Sequence, residues 1–362
     1  PSSNPYRAFS ALLLAGLDGV KNKIEGSATA PGPGARPALS TATRWLSAPY
    51  RRHRHAAELE RRARQWAAGS GLAVGPAAVR LRAHGLDRLA AVVLSEERDE
   101  QVLRYARWLI WVFHLDDHVE SRTTPEAVEA LFGGLLDRIG PPGTVAPAPR
   151  GEADGDGRAV AEALTDLWRR TGRGMSEHWQ QRFRRHLRQQ RAGCLREHLL
   201  RATGTVPTPQ EYPRLRRWSS GPWLYDLPEA VLGVELPPAF AATALWRELT
   251  HHVGDAANGC NDLLSSEKES ADRLTVNHLL VARHRKGLTG ADAVRWVTEH
   301  VVDRLDRAAE LGRRAPAAAQ DLGLSPAAVR EVSRVVCATL NFPAAYLTWA
   351  LGSARYAPPP PP

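Results

Sequence analysis

Between residues 96 and 115, Val102, Leu103, Ala106, Leu109, Ile110 and Phe113 recur three and four apart, the spacing that puts apolar side chains on one side of an α-helix. The same period returns over about 52–68, 126–138, 158–172, 176–202, 228–234, 238–265, 271–286, 290–313 and 326–354. Alternating Val, Ile and Thr runs and hairpin dipeptides are not placed to build a sheet. Ten or more amphipathic helices without a sheet can bury their apolar stripes only against one another, so an all-α bundle is expected. With 43% hydrophobic residues in 362, a sizeable core is expected and global disorder is not.

Composition breaks suggest the organisation. Residues 27–40 (SATAPGPGARPALS) read as a linker, 140–157 (GPPGTVAPAPRGEADGDG) as a long surface loop, and Pro358–Pro362 as an extended tail. No internal repeat is evident. The opening 26 residues, PSSNPYRAFSALLLAGLDGVKNKIEG, resemble a short segment near the C-terminal end of glutamine synthetase, without that enzyme's metal or nucleotide residues. They are expected to be a non-functional remnant. The expected division is therefore remnant 1–26, linker 27–44, one helical domain 45–356 and tail 357–362.

The net charge is +9, and the dense basic cluster is Arg51, Arg52, His53, Arg54 and His55. No nucleic-acid recognition motif accompanies it, so arginine-rich solvated helix faces are the preferred explanation. Cys194, Cys260 and Cys337 are far apart and suggest neither a disulfide framework nor a zinc knuckle. No apolar run reaches the length of a membrane span and no charged-then-apolar leader opens the sequence. A cytoplasmic location is expected.

Two polar constellations interrupt the helical pattern. In WLIWVFHLDDHVES, Asp116 and Glu120 lie four apart, and Asp117 and Glu120 three apart, so the three carboxylates share a helix surface. Clustered like charges repel unless a cation compensates them, and hard oxygen ligands suit Mg²⁺. A solvated helix end is the competing reading. In CNDLLSSEKES, Asn261, Ser265 and Glu269 lie at i, i+4 and i+8 and project along one face. An amide oxygen, a hydroxyl and a carboxylate form a second hard set, with Lys268 beside it as a point charge for phosphate and Asp262 placed to orient Asn261. The alternative is a polar helix end with Ser265 and Ser266 as caps.

These residues resemble the two metal motifs of bacterial class I terpene synthases, D-D-x-x-D/E and N-D-x-x-S-x-x-K-E, and the separation between them fits that family. The resemblance covers about residues 45–356. It implies a single isoprenoid-synthase helical bundle around a central apolar cavity. It also implies three Mg²⁺, with Mn²⁺ as a substitute: Asp116 as ligand supported by Asp117 and Glu120, and Asn261, Ser265 and Glu269 as a second ligand set. The segment EYPRLRRWSSG resembles the family's diphosphate-sensing region. There Arg216 matches the sensing arginine best, Arg217 is the alternative, and Ser220 or Gly221 supplies the effector carbonyl. Arg355 and Tyr356 resemble its C-terminal Arg-Tyr pair.

The implied activity is ionisation of a prenyl diphosphate and cyclisation of the resulting carbocation to a terpene hydrocarbon or alcohol. Farnesyl diphosphate is the expected substrate, with the C10 and C20 diphosphates as alternatives. Arg216, Lys268, Arg355 and Tyr356 would hold the diphosphate. Trp111, Phe113, Trp246, Phe342 and Trp349 are candidates for the cavity lining, with Phe113 and Trp349 foremost. The adjacent His251 and His252 point to different sides of a helix and are expected to be structural. The rival readings are a chain-elongating prenyltransferase of the same fold, which carries two D-D-x-x-D motifs, a degenerate synthase homologue, and a non-catalytic basic helical binding protein. A monomer or homodimer is expected.

Overall fold

The computed structural model describes residues 51–122, 124–140, 155–271 and 276–356, without the side chains of 155–156, 266–271 and 351. The remnant, the linker, the tail and most of the expected surface loop therefore lie outside the described residues. Among the described residues the chain forms fourteen α-helices and three short 3-10 turns, with no strand. In order they are α1 (Ala56–Gly69), α2 (Pro76–His84), α3 (Leu86–Val93), α4 (Asp99–Glu120), α5 (Pro125–Arg138), α6 (Gly155–Arg170), α7 (Glu177–Thr203), α8 (Glu211–Ser219), α9 (Leu227–Leu232), α10 (Pro238–Ala241), α11 (Ala244–Ala271), α12 (His278–Lys286), α13 (Gly290–Asp321) and α14 (Pro326–Leu351). None is long and apolar enough to cross a membrane.

Contacts between neighbours close a ring. α4 packs on α3 and α6, α3 on α14, α14 on α11, α11 on α8, α8 on α7, α7 on α5 and α5 back on α6, while α13 backs α11 from outside. One side of the ring is held by an aromatic cluster. Trp108 and Trp111 of α4 are fully buried and approach Trp223 at 6.0 and 5.4 Å between ring centroids. Phe183 of α7 joins them at 5.4 Å from Trp223. Each buried indole N–H finds an acceptor, Trp108 on Thr171 Oγ1, Trp111 on the Val160 carbonyl and Trp223 on Gln190 Oε1. The same side contains a buried charge knot. Arg182 of α7 donates from Nε to Asp226 at 2.9 Å and from Nη2 to Glu229, and His186 meets the second oxygen of Asp226 at 2.7 Å.

Of the basic cluster at the start of the described chain, His53 is buried and Arg51, Arg52, Arg54 and His55 are exposed. Arg52 pairs with Glu60, His55 Nδ1 meets Asp99 at 2.9 Å, and His53 Nε2 meets the Glu97 carbonyl at 2.9 Å.

Several element boundaries differ from the periodicity reading. No helix is expected from periodicity over α2, α3 or α8; Gly85, at φ +60, caps α2 and starts α3 in one residue. The helix expected over 238–265 is broken after Ala241. Thr243 Oγ1 accepts from the Trp246 N–H at 3.1 Å and restarts the chain as α11, which then runs on to Ala271. Ser265 and Ser266 therefore lie inside a helix rather than at its end. The helix expected from 271 begins at His278, where the Asn277 side chain accepts from the Leu279 N–H at 2.8 Å. α6 starts at Gly155, inside the expected loop, and α13 continues to Asp321.

His278 and His300 meet edge to face at 4.8 Å between α12 and α13. Burial first, then Arg216 and Arg304, hold His278 down to about 4; burial, His278 and Arg304 hold His300 down to about 3. Both are neutral when folded at neutral pH, whereas the unfolded imidazoles take protons near 6.5. Stability should therefore be complete above pH 6.5 and fall as the pH drops toward 4. For His278 the loss is about 2–3 kcal/mol. Thermal unfolding across pH 7 to 4 checks this. His278→Gln should flatten the profile, and an equally steep decline in that variant would contradict the assignment.

Candidate active site

The last turn of α4 carries the acidic motif to the rim of the ring. Asp116 and Asp117 are about half exposed there, at 51% and 48%, rather than continuing the buried face of the helix. Opposite stands α11, whose Asn261 and Ser265 are one helical turn apart. α8 adds Arg216, and the 3-10 turn Ala354–Tyr356 adds Arg355 and Tyr356. Asp116, Glu120, Arg216, Asn261, Ser265, Arg355 and Tyr356 line one cavity of about 80 Å³. Asp117 joins the rim through Arg355, whose Nη1 lies 2.7 Å from it while Nη2 lies 3.2 Å from Asp116. Burial works against the Arg355 charge, but Asp116 and Asp117 outweigh it and raise its pKa. Lys268 and Glu269 fall on α11 beyond Ser265, and their side chains lie outside the described residues.

Asn261 is the hub of the far wall. Its Oδ1 accepts from Arg216 Nη2 at 2.8 Å, and its Nδ2 donates to Tyr346 at 2.8 Å and Tyr356 at 2.9 Å. The two tyrosine oxygens are 2.5 Å apart. This fixes which end of the amide faces Arg216. Asp262 was expected to orient Asn261 directly; it acts instead through Arg216. It is buried, accepts from Tyr212 at 2.7 Å and from the His278 N–H at 3.1 Å, and lies 3.4 Å from Arg216 Nε. One helix position separates Asn261 from Asp262, about 100° of rotation, so only one can face the cavity.

The two candidate sensing arginines diverge for the same reason. Arg216 faces the cavity and Arg217 turns away to Asp255 at 2.8 Å. α8 then ends, and Gly221 at φ +91 turns the chain into the 3-10 segment Pro222–Tyr225. A side chain on Gly221 would be strained and would meet Trp223 at 3.0 Å. Ser220 closes α8 half-buried, and its neighbour Ser219 reaches the cavity wall.

The aromatic candidates do not line this polar cavity. Phe113 and Trp349 pack together at 5.1 Å, and the Arg355 guanidinium lies 5.1 Å over the Phe113 ring. Trp349 stands 6.0 Å from Tyr356. Trp111 belongs to the buried cluster, Trp246 faces another cavity, and Phe342 packs on Tyr346 and Tyr225. His251 and His252 do separate, the first toward Arg217, the second to 3.2 Å from Arg304.

Two residues, one in the wall and one behind it, were not found from the sequence. Glu197 of α7 is buried, accepts from the Ser219 hydroxyl and faces Arg201 at 3.6 Å. Burial raises its carboxyl despite Arg216 and Arg201. Nothing in its strongly polar helix distinguishes it. Tyr346 sits ten residues before Tyr356 in a run of apolar residues, where it reads as core.

The donor set is all oxygen, carboxylate on one wall and amide and hydroxyl on the other, and it already attracts guanidinium cations to both walls. That chemistry fits a hard divalent ion. A helical ring whose rim sets paired carboxylates against an Asn–Ser row belongs to the class I terpene synthases. The terpene synthase family 2, C-terminal metal binding model matches residues 107–307, and the chain belongs to that family. It is thus a lyase acting on prenyl diphosphates. Pristinol synthase of Streptomyces pristinaespiralis is 28% identical over 325 residues, 88% of this chain and 86% of the relative. A (−)-β-caryophyllene synthase of Saccharothrix espanaensis is 30% identical, over 75% and 76% of the two chains. Among solved structures, linalool/nerolidol synthase of Streptomyces clavuligerus in complex with 2-fluorogeranyl diphosphate aligns at a TM-score of 0.73 with 25% identity, covering 83% of this chain and 100% of that one.

Proposed function

We propose that this terpene synthase takes farnesyl diphosphate with three Mg²⁺ and cyclises the farnesyl cation, releasing diphosphate. The observation that supports it is the pairing across one cavity of Asp116 and Glu120 with Asn261 and Ser265. Asp116, Asp117 and Glu120 are the proposed ligands on one wall, and Asn261, Ser265 and Glu269 on the other. Ions held there would supply Lewis-acid stabilisation of the diphosphate charge. Arg216, Lys268, Arg355 and Tyr356 donate hydrogen bonds to the diphosphate oxygens.

Arg355 rests on Asp116 and Asp117, and Arg216 rests on Asn261. Each cation must therefore leave a proposed metal ligand as it turns to the diphosphate. That exchange ties binding of the leaving group to assembly of the site. The C1–O bond then breaks, the electron pair stays with diphosphate, and the allylic cation is left among apolar side chains. The carbonyl of Ser220 or Gly221 lies at the break after α8 as the proposed effector. Phe113, which lies under the Arg355 guanidinium, and Trp349, packed against it, are the proposed aromatic faces near the rim. Loss of a proton or addition of water ends the sequence.

Incubation with geranyl, farnesyl or geranylgeranyl diphosphate plus Mg²⁺ tests the reading by gas chromatography–mass spectrometry and diphosphate release. Farnesyl diphosphate should yield a C15 product, and EDTA should abolish both product and diphosphate release. Turnover that persists in EDTA would remove the metal reading, and preferential turnover of another chain length would remove the substrate.

A further inference from the structure

The helices that wall the metal-side cavity also wall a second one. α7 sends Glu197 into the first and Arg185 and His186 into the second; α8 divides Arg216 from Arg217; α11 divides Asn261 from Arg247 and His251. The second cavity encloses about 360 Å³. Along α11, His251 and Asn261 are ten residues apart, about 15 Å at 1.5 Å per residue. The two cavities are therefore separate.

The charge around the second cavity is lopsided. Its lining includes Arg182, Arg185, Arg217, Arg247, His186 and His251, and Asp226 is the acid among the lining residues. Asp226 is occupied by Arg182 and His186, Glu229 by Arg182, and Asp255 by Arg217. Arg182 is itself buried, and its Nη1 has no hydrogen-bond partner among the described residues. Arg185 and Arg247 make no ion pair among the described residues. Partial burial, then Arg217 and Arg247, hold the His251 imidazole down to about 4, which registers the positive field inside. Trp218 and Trp246 supply apolar walls.

We propose that this cavity is a metal-independent binding site for a phosphate or diphosphate oxyanion, gripped by Arg185, Arg217 and Arg247. Guanidinium forks match phosphate oxygens in pairs, and a partly enclosed site strengthens those bonds. The oxyanion is either free or the head of a prenyl phosphate whose chain lies on Trp218 and Trp246. The site does not depend on the metal reading of the first cavity.

Isothermal titration in EDTA tests it, using inorganic phosphate, inorganic diphosphate and geranyl monophosphate. One equivalent of diphosphate should bind, and the Arg185→Glu/Arg247→Glu variant should bind it at least about tenfold more weakly with an unchanged melting temperature. Asn261→Ala should bind it normally. In the wild type, the His251 ring signals should show a raised pKa once diphosphate is present, a readout that needs no variant. Geranyl monophosphate binding tighter than inorganic phosphate assigns the site to a prenyl ester; equal binding assigns it to the free oxyanion. No binding in EDTA, undiminished binding by the double variant, or loss of binding in Asn261→Ala would each overturn the proposal.

Discussion

Asn261→Ala should lower turnover of farnesyl diphosphate about a thousandfold, the scale seen when one preorganised transition-state contact is removed. The side chain has three partners, and alanine severs all of them. The proposed metal ligand on α11 disappears, and Arg216 loses the acceptor that holds it over the cavity. The fold should survive. Tyr346 and Tyr356 keep their bond to each other, Arg216 keeps Asp262, and the helix prefers alanine to asparagine. Single-turnover kinetics beside a thermal melt separate the two effects. Turnover within a few-fold of wild type would remove Asn261 from the metal site, and a collapsed melting transition would mean that its hydrogen bonds hold the bundle.

Arg182→Met carries the largest expected cost in stability. Asp226 and Glu229 are 3% and 0% exposed, and Arg182 compensates both. Methionine replaces the aliphatic stem but leaves two buried carboxylates, Asp226 with His186 and Glu229 with the Leu236 N–H, and no guanidinium to compensate them, so a loss of about 3–5 kcal/mol is expected. Even with Arg182 present, burial pushes Glu229 up to about 7. A carboxylate with a raised folded pKa loses stability as the pH climbs through that value, so the deficit should widen between pH 5 and pH 8. Urea unfolding at both pH values measures it. A deficit below about 1 kcal/mol would mean that the knot contributes little beyond packing.

The extent of what was legible in the sequence differs between fold and site. Long amphipathic helices such as α4 and α7 were readable because one apolar stripe persists over many turns. α2, α3 and α8 were not: each is eight or nine residues long, too short to show a period, and held by its neighbours. The break before α11 was also hidden, because a Thr cap resembles any other polar residue within a helical run.

The residue pattern alone determined that Asp116 and Glu120 share one helix face and Asn261 and Ser265 another, since the period of a helix does not depend on what packs around it. The resemblance of EYPRLRRWSSG to the family's diphosphate-sensing region offered Arg216 or Arg217 as the sensing arginine. Tertiary packing decided the rest. Adjacent residues differ by about 100° on a helix, so only the seating of α8 against α7 and α11 could send Arg216 to Asn261 and Arg217 to Asp255. Glu197 and Tyr346 became visible only there, because they meet the cavity through contacts far apart in the chain, which no local spacing encodes.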